Sequence, residues 1–320
     1  MRGTLPEKLT LAACLLASEP ACSSNHHVSA WGAEESPRLG AFMERPDLAA
    51  RLGLVDVETS AHGLKLTNEI PLLLPRGGGP ARIRGYEGTD TLGRPVHAIR
   101  VATARAVVMA VGPLDSRDTG RDAATELVPA LLVEGGGRGG SAFQSGTDLT
   151  GDGTIAVVAR SETGELAIWH VTPLGASPYP IAIQGAATRG LDVDGDGHVD
   201  LAGDLVRDRG DTIMARLGDV ATFDGVGFSD RTEGARAFHA ALADEAAPAK
   251  GAAPPSDEVR IRRAVERAWH AVLAGRSKDG ALKELQREEV PARLRASFDR
   301  YVSVISSLPA ARASGTPDGT

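Results

Sequence analysis

The sequence predicts a mainly β fold of propeller-like repeats, forming a propeller, an incomplete propeller or a sandwich, with a C-terminal α-helical region. Three observations predict it. Short apolar segments between residues 61 and 230 are separated by Gly/Asp-rich turns at near-regular spacing. Two stretches inside that region resemble each other 44 residues apart, the size of one β unit in a repeat fold. Beyond residue 231 the apolar spacing changes from that of strands to that of helices.

Composition sets the limits. The 320-residue chain is 42% hydrophobic but only 4% aromatic, so its core must rest on Val, Leu, Ile and Ala. A net charge of -7 argues against a nucleic-acid binder, which would normally show a basic face.

Residues 1–22 read as a signal or lipoprotein-type segment. Arg2 and Lys8 flank an apolar run at 9–17 that is too short to span a bilayer and fits the core of a signal peptide. Cys14 follows Leu-Ala-Ala, and Cys22 precedes a polar tether, so either is a candidate for lipid attachment. No cysteine follows residue 22, which leaves the body without disulfides or thiol chemistry. The expectation is an exported protein: a cell-envelope lipoprotein, or periplasmic or secreted. It would touch a membrane only through an N-terminal lipid anchor.

Residues 23–60 form a polar, then mixed, region in which 45–54 predicts one or two helical turns. The β-rich body spans 61–230, with repeat units at about 126–175 and 176–230. A helix is expected over 231–245, with Ala237, Phe238, Ala241 and Leu242 on one face. Residues 246–255 form an Ala/Pro linker. In the helical region 256–308, Ser256 caps a helix whose apolar stripe runs through Val265 and Trp269 to Gly275. Two further helical pieces cover 279–288 and 292–308, with Pro291 suited to a first-turn position. Residues 309–320 have the composition of a disordered tail.

The chemistry concentrates in "GLDVDGDGHVDLAGDL" at 190–205, where Asp192, Asp194, Asp196 and Asp200 fall within nine residues. Four carboxylates this close repel one another unless a cation joins them. Calcium wants six to eight oxygens, and alternate positions of a tight loop can aim them at one centre. Asp192, Asp194 and Asp196 would supply carboxylates, His198 its carbonyl, and Asp200 the closing carboxylate. Gly195 and Gly197 allow the tight turns. An EF-hand needs a carboxylate at loop position twelve, which is Gly203 here, and a helix where "VDLAGDL" has a strand pattern. The earlier stretch "TDLTGDGTIAVVAR" aligns Asp148, Thr150, Asp152, Gly153 and Thr154 with Asp192, Asp194, Asp196, Gly197 and His198.

On these residues the chain resembles the FG-GAP/VCBS repeat family, whose pattern is roughly D-x-D-G-D-G-x-x-D-L followed by a strand. "DVDGDGHVDL" matches closely and "DLTGDGTIAV" loosely. The resemblance covers roughly residues 126–230. It implies Ca²⁺ bound between strands of propeller blades in exported proteins. Carried over, Asp192, Asp194, Asp196, His198 and Asp200 are the ligands. In the first loop Asp148, Asp152 and the carbonyl of Thr154 carry over. Thr150 and Ala156 replace two aspartates there, so weak or no binding is expected.

Other signals carry less chemistry. Asp118-Thr119-Gly120 is the tripeptide of aspartic proteases, but the arginines around it suit a turn. The Gly-rich stretch at 134–141 lacks the Gly-Lys-Ser/Thr of a phosphate loop. The eight histidines are scattered, and His170, His239 and His270 read as structural or surface residues. No catalytic motif is found. The reading is a non-enzymatic, Ca²⁺-stapled binding or scaffold protein of a bacterial cell envelope, with a protein or glycan partner at the cell surface. The alternatives are a secreted hydrolase with a dispersed active site, or an assembly module docking through the Trp269 helix.

Overall fold

The computed structural model describes residues 45–112, 125–135, 141–204, 212–247 and 255–309. The signal-like segment with Cys14 and Cys22, residues 23–44, the tripeptide at 118–120, and most of the Gly-rich stretch, the Ala/Pro linker and the tail lie outside the described residues.

The first element corrects an expectation. Where one or two turns are predicted over 45–54, a sixteen-residue helix forms, α1 (Pro46–Ala61). Pro46 sits in its first turn, where a missing amide costs nothing. Leu48, Leu52, Val55 and Thr59 recur at three- and four-residue steps and are all buried. Packing along that stripe carries the helix through Val55, Val57 and Thr59, whose branched side chains favour strands in isolation.

Fifteen strands follow: β1 (Lys65–Leu74), β2 (Gly79–Thr89), β3 (Pro95–Thr103), β4 (Val107–Val111), β5 (Glu126–Leu127), β6 (Ala130–Gly135), β7 (Ser141–Gln144), β8 (Ile155–Arg160), β9 (Leu166–Thr172), β10 (Gly175–Pro178), β11 (Ile181–Ala182), β12 (Arg189–Asp192), β13 (Asp200–Asp204), β14 (Gly218–Phe223) and β15 (Phe228–Ser229). They make three sheets. Sheet one is the antiparallel meander β1-β2-β3-β4. Sheet two has the order β10-β9-β8-β5, and sheet three the order β11-β15-β14-β13-β12-β6-β7. In sheet three β12 runs parallel to β6, and β11 to β15.

The sheets stack face to face. Ile155, Val157 and Ala159 of β8 join Ile83, Ile99 and Val101 of sheet one in one core. The alternate residues Ala156 and Val158 join Leu131, Leu201, Ala221 and Phe228 of sheet three in another. Sheet two is therefore buried on both faces. That is why "IAVVAR" is a continuous apolar run instead of an alternation.

Helices cover the two outer faces. Leu48, Leu52 and Val55 of α1 pack on Tyr86, Ala98 and Ala102 of sheet one. The helix α2 (Glu233–Glu245) places Ala235 and Phe238 against Leu191, Ala202 and Val220 of sheet three. Because helices close both ends of the stack, it does not continue into a ring. The fold is mixed α/β with three open sheets, and no closed barrel or propeller forms among the described residues. The expectation of a β-rich body followed by helices holds in part: the sheets stack as in a sandwich, but the class is mixed α/β and no propeller forms among the described residues.

Three more helices complete the chain, α3 (Asp257–Leu273), α4 (Lys278–Leu285) and α5 (Ala292–Ser307). The hydroxyls of Thr232, Ser256 and Ser277 cap α2, α3 and α4 by accepting the amides of Ala235, Val259 and Gly280. Pro291 takes the N-cap position of α5, one residue before its expected place. Ile261, Val265, Trp269, Leu285, Phe298 and Ile305 close a core with Ile213, Ala215 and Leu217, the segment leading into β14. The Trp269 stripe is thus packed inside this chain. Among the described residues, no helix is long and apolar enough to cross a membrane.

The Trp269 indole is fully buried, and its Nε1 donates a hydrogen bond of 2.7 Å to the Gly218 carbonyl, tying α3 to β14. Trp269→Phe removes that donor and leaves a small void. We expect about 2–4 kcal/mol of destabilisation in urea unfolding. Unchanged stability would show that the indole does not hold helix and sheet together.

Candidate metal centre

The two aspartate loops have the same backbone. Each closes an antiparallel pair, Thr147 with Ala156 in the first and Leu191 with Asp200 in the second. These pairs are 44 residues apart, like the aspartates themselves. Asp148 accepts the Gly151 amide at 2.8 Å, and Asp192 accepts the Gly195 amide at 2.8 Å. Asp152 accepts the Thr154 amide at 2.8 Å, as Asp196 accepts that of His198 at 2.8 Å. Gly151, Gly153, Gly195 and Gly197 all take φ between 73° and 86°, the left-handed region that side chains resist.

The loops also touch. The Val199 amide donates to the Leu149 carbonyl at 2.9 Å, and the His198 ring covers Gly151 so closely that a Cβ there would meet its Nε2 at 2.5 Å. Sheets two and three therefore present their repeat loops side by side, at the starts of β8 and β13.

Their carboxylates behave differently. In the first loop Asp148 is filled by amides of its own turn, from Thr150, Gly151 and Gly153. Asp152 accepts hydrogen bonds from the Thr154 hydroxyl (2.6 Å) and the Tyr179 hydroxyl (2.7 Å). Burial opposes its charge, but the bonds from Thr154, Tyr179 and Thr150 outweigh burial and hold the carboxyl below its usual range. Ala156, fully buried, stands where the second loop has Asp200.

In the second loop the ligand oxygens of Asp192, Asp194 and Asp200 lie within 4.8 Å of one another. Asp192 is 7% exposed and Asp200 4% exposed, so two of the three carboxylates are inside the protein. Asp200 accepts the Val193 amide at 2.8 Å, a small return for a buried group with about four acceptor sites. Burial pushes it up to about 7; the Val193 amide opposes this, and the charges of Asp194, Asp196 and Asp192 add to it. Asp194 is also raised, by burial first, with Asp196 and Asp192 adding to the effect against the Asp196 amide.

Of the expected ligands, the structure brings Asp192, Asp194 and Asp200 together. Asp196 is exposed and stands outside that trio. His198 contributes its ring to the contact between loops. Asp148, Asp152 and Thr154 form a hydrogen-bonded turn, with no acidic trio among them. The donor set of the second loop is all oxygen and all anionic. It fits a hard divalent cation and lacks the nitrogen or sulfur that would favour a softer metal.

A second polar cluster left no local signal in the sequence. Asp219 of β14, buried to 1% exposure, accepts the amides of Gln184 (2.5 Å) and Val220 (2.8 Å). Its Oδ1 also lies 2.9 Å from His239 Nε2, and His239 Nδ1 lies 2.9 Å from His270 Nδ1. His239 and His270 sit 31 residues apart on α2 and α3, so only helix packing unites them. His170, by contrast, rests against the Tyr179 ring, 5.0 Å between centroids.

Comparison with family models, with curated proteins and with solved structures finds no match. The repeat within the chain is therefore the standard against which its loops are read.

Burial, and then the neighbouring His239, push His270 down to about 3, so it is neutral in the folded protein above that pH. An unfolded histidine titrates near about 6.5. The unfolded chain alone binds this proton between those values, so stability falls as pH drops through the window. The residue contributes up to about 1.4 kcal/mol per pH unit there. His270→Gln, which keeps an N–H for His239, should flatten the dependence of unfolding free energy on pH between about 6.5 and 4.5. Equal slopes in parent and variant would contradict this assignment.

Proposed function

We propose that the second loop is a Ca²⁺ site that staples the β12–β13 hairpin of a non-enzymatic binding or scaffold protein. One observation carries the reading. The same hairpin loop occurs twice in one chain, and among the described residues only one copy gathers a carboxylate trio, two of whose members are buried. Where the closing aspartate is replaced by Ala156, hydroxyls of Tyr179 and Thr154 satisfy what remains. Where Asp200 is kept, each carboxylate of the trio accepts one loop amide and, among the described residues, no side-chain hydroxyl, and two buried carboxylates with so few hydrogen bonds are costly without a counter-charge.

Asp192, Asp194 and Asp200 would hold the ion, with loop carbonyls and water completing the shell. Bound there, the ion supplies positive charge. The chain's own part is to hold β12 and β13 in register and to keep His198 over Gly151. The reading of export rests on residues 1–22, and extracellular calcium suits a weak structural site of about 10⁻⁴–10⁻³ M.

Calcium should raise the melting temperature of the parent. At about ten times Kd the gain is about 1.4 kcal/mol, or about 3–5 °C. Asp200→Ala should remove the response to Ca²⁺ while remaining folded, because Ala156 shows that alanine fits the equivalent place. Asp148→Ala should lose stability, since three amides lose their acceptor, yet keep the Ca²⁺ response. The absence of any shift in the parent at millimolar Ca²⁺, against an EDTA control, would overturn the proposal.

A further inference from the structure

The Asp219–His239–His270 chain takes one direction when Asp219 is ionised and His239 is neutral. An ionised Asp219 can only accept, so His239 donates from Nε2. A neutral His239 then accepts at Nδ1, and His270 donates to it from its own Nδ1. His270 is left with a lone pair on Nε2. The ring is 7% exposed, and what it faces is a cavity of about 500 Å³ between α2, α3 and the strands β13 and β14. Arg262, Glu266 and His270 recur at four-residue steps along the wall that α3 supplies, with Arg263 beside them. Arg262 and Arg263 have no hydrogen bond or ion pair among the described residues. Opposite, Phe238, Leu242 and Val220 make an apolar wall.

We propose that this cavity binds a small organic anion that also carries a hydroxyl or amine hydrogen. His270 Nε2 accepts that hydrogen, Arg262 and Arg263 take the anionic end, and the apolar wall takes the body between. The two ends are eight residues apart on one helix, about 12 Å along its axis, a span an arginine side chain and an aromatic acid cover together. Of the other charged groups in the lining, Asp204 pairs with Arg189, Glu266 accepts the Arg216 amide, and Glu245 adds one exposed carboxylate. Among the described residues the lining has no serine, threonine or cysteine, and the proposed role is binding.

The test uses the full chain labelled with ¹⁵N-histidine and 4-hydroxybenzoate as the probe. His270 should carry its proton on Nδ1, and its Nε2 resonance should move as the probe saturates. Benzoate, which lacks the hydroxyl, should bind about tenfold more weakly, because the acceptor goes unmet. The double variant Arg262→Gln, Arg263→Gln should also bind the probe about tenfold more weakly, with an unchanged melting temperature because neither guanidinium is paired. A proton on Nε2 of His270, no binding of 4-hydroxybenzoate at millimolar concentration, unweakened binding by the variant, or equal binding of inorganic phosphate would each overturn the proposal.

Discussion

Burial of sheet two on both faces is the constraint from which the rest of the structure follows. Its strand β8 gives Ile155, Val157 and Ala159 to one neighbour and Ala156 and Val158 to the other. A layer used on both faces leaves its neighbours with one outer face each. Those faces need covers, and α1 and α2 supply them. The same stacking sets the two aspartate loops side by side, because β8 and β13 begin at the same end of adjacent sheets. The contact of His198 with Gly151 and the bond from Val199 to Leu149 are consequences of that alignment.

The paired loops show how a duplicated turn settles its charges in two ways. The glycine positions and the Asx-type hydrogen bonds are common to both, so the backbone does not distinguish them. The difference lies in the residue that closes each hairpin and in what faces it. With alanine at the close, Tyr179 from a neighbouring segment reaches Asp152, and amides of the turn serve Asp148. With aspartate at the close, three carboxylates gather in a place too buried for water to screen them fully. The trio exists in one loop only because Asp194 and Asp200 stand there where the other loop has Thr150 and Ala156.

The buried histidine chain belongs to a different part of the molecule and obeys a different logic. Asp219 anchors it from the sheet, His239 from α2 and His270 from α3. The chain aligns two helices on sheet three and places the His270 ring at the wall of a cavity.

Much of this was legible in the sequence. The Gly/Asp punctuation, the 44-residue offset and the capped helices beyond 231 depend on local chemistry: left-handed glycines, side-chain caps and apolar periodicity act within a few residues. The candidate ligands Asp192, Asp194 and Asp200 were legible for the same reason, since the loop that gathers them is nine residues long. Tertiary structure alone decided the rest. It extended α1 past residue 54, because the stripe from Leu48 to Thr59 gains its energy only against sheet one. It left the sheets as an open stack, because whether helices cover an outer face is not written in any strand. It left Asp196 exposed and outside the trio. And it joined Asp219, His239 and His270, three residues whose sequence neighbours say nothing of one another, through the packing of two helices on one sheet.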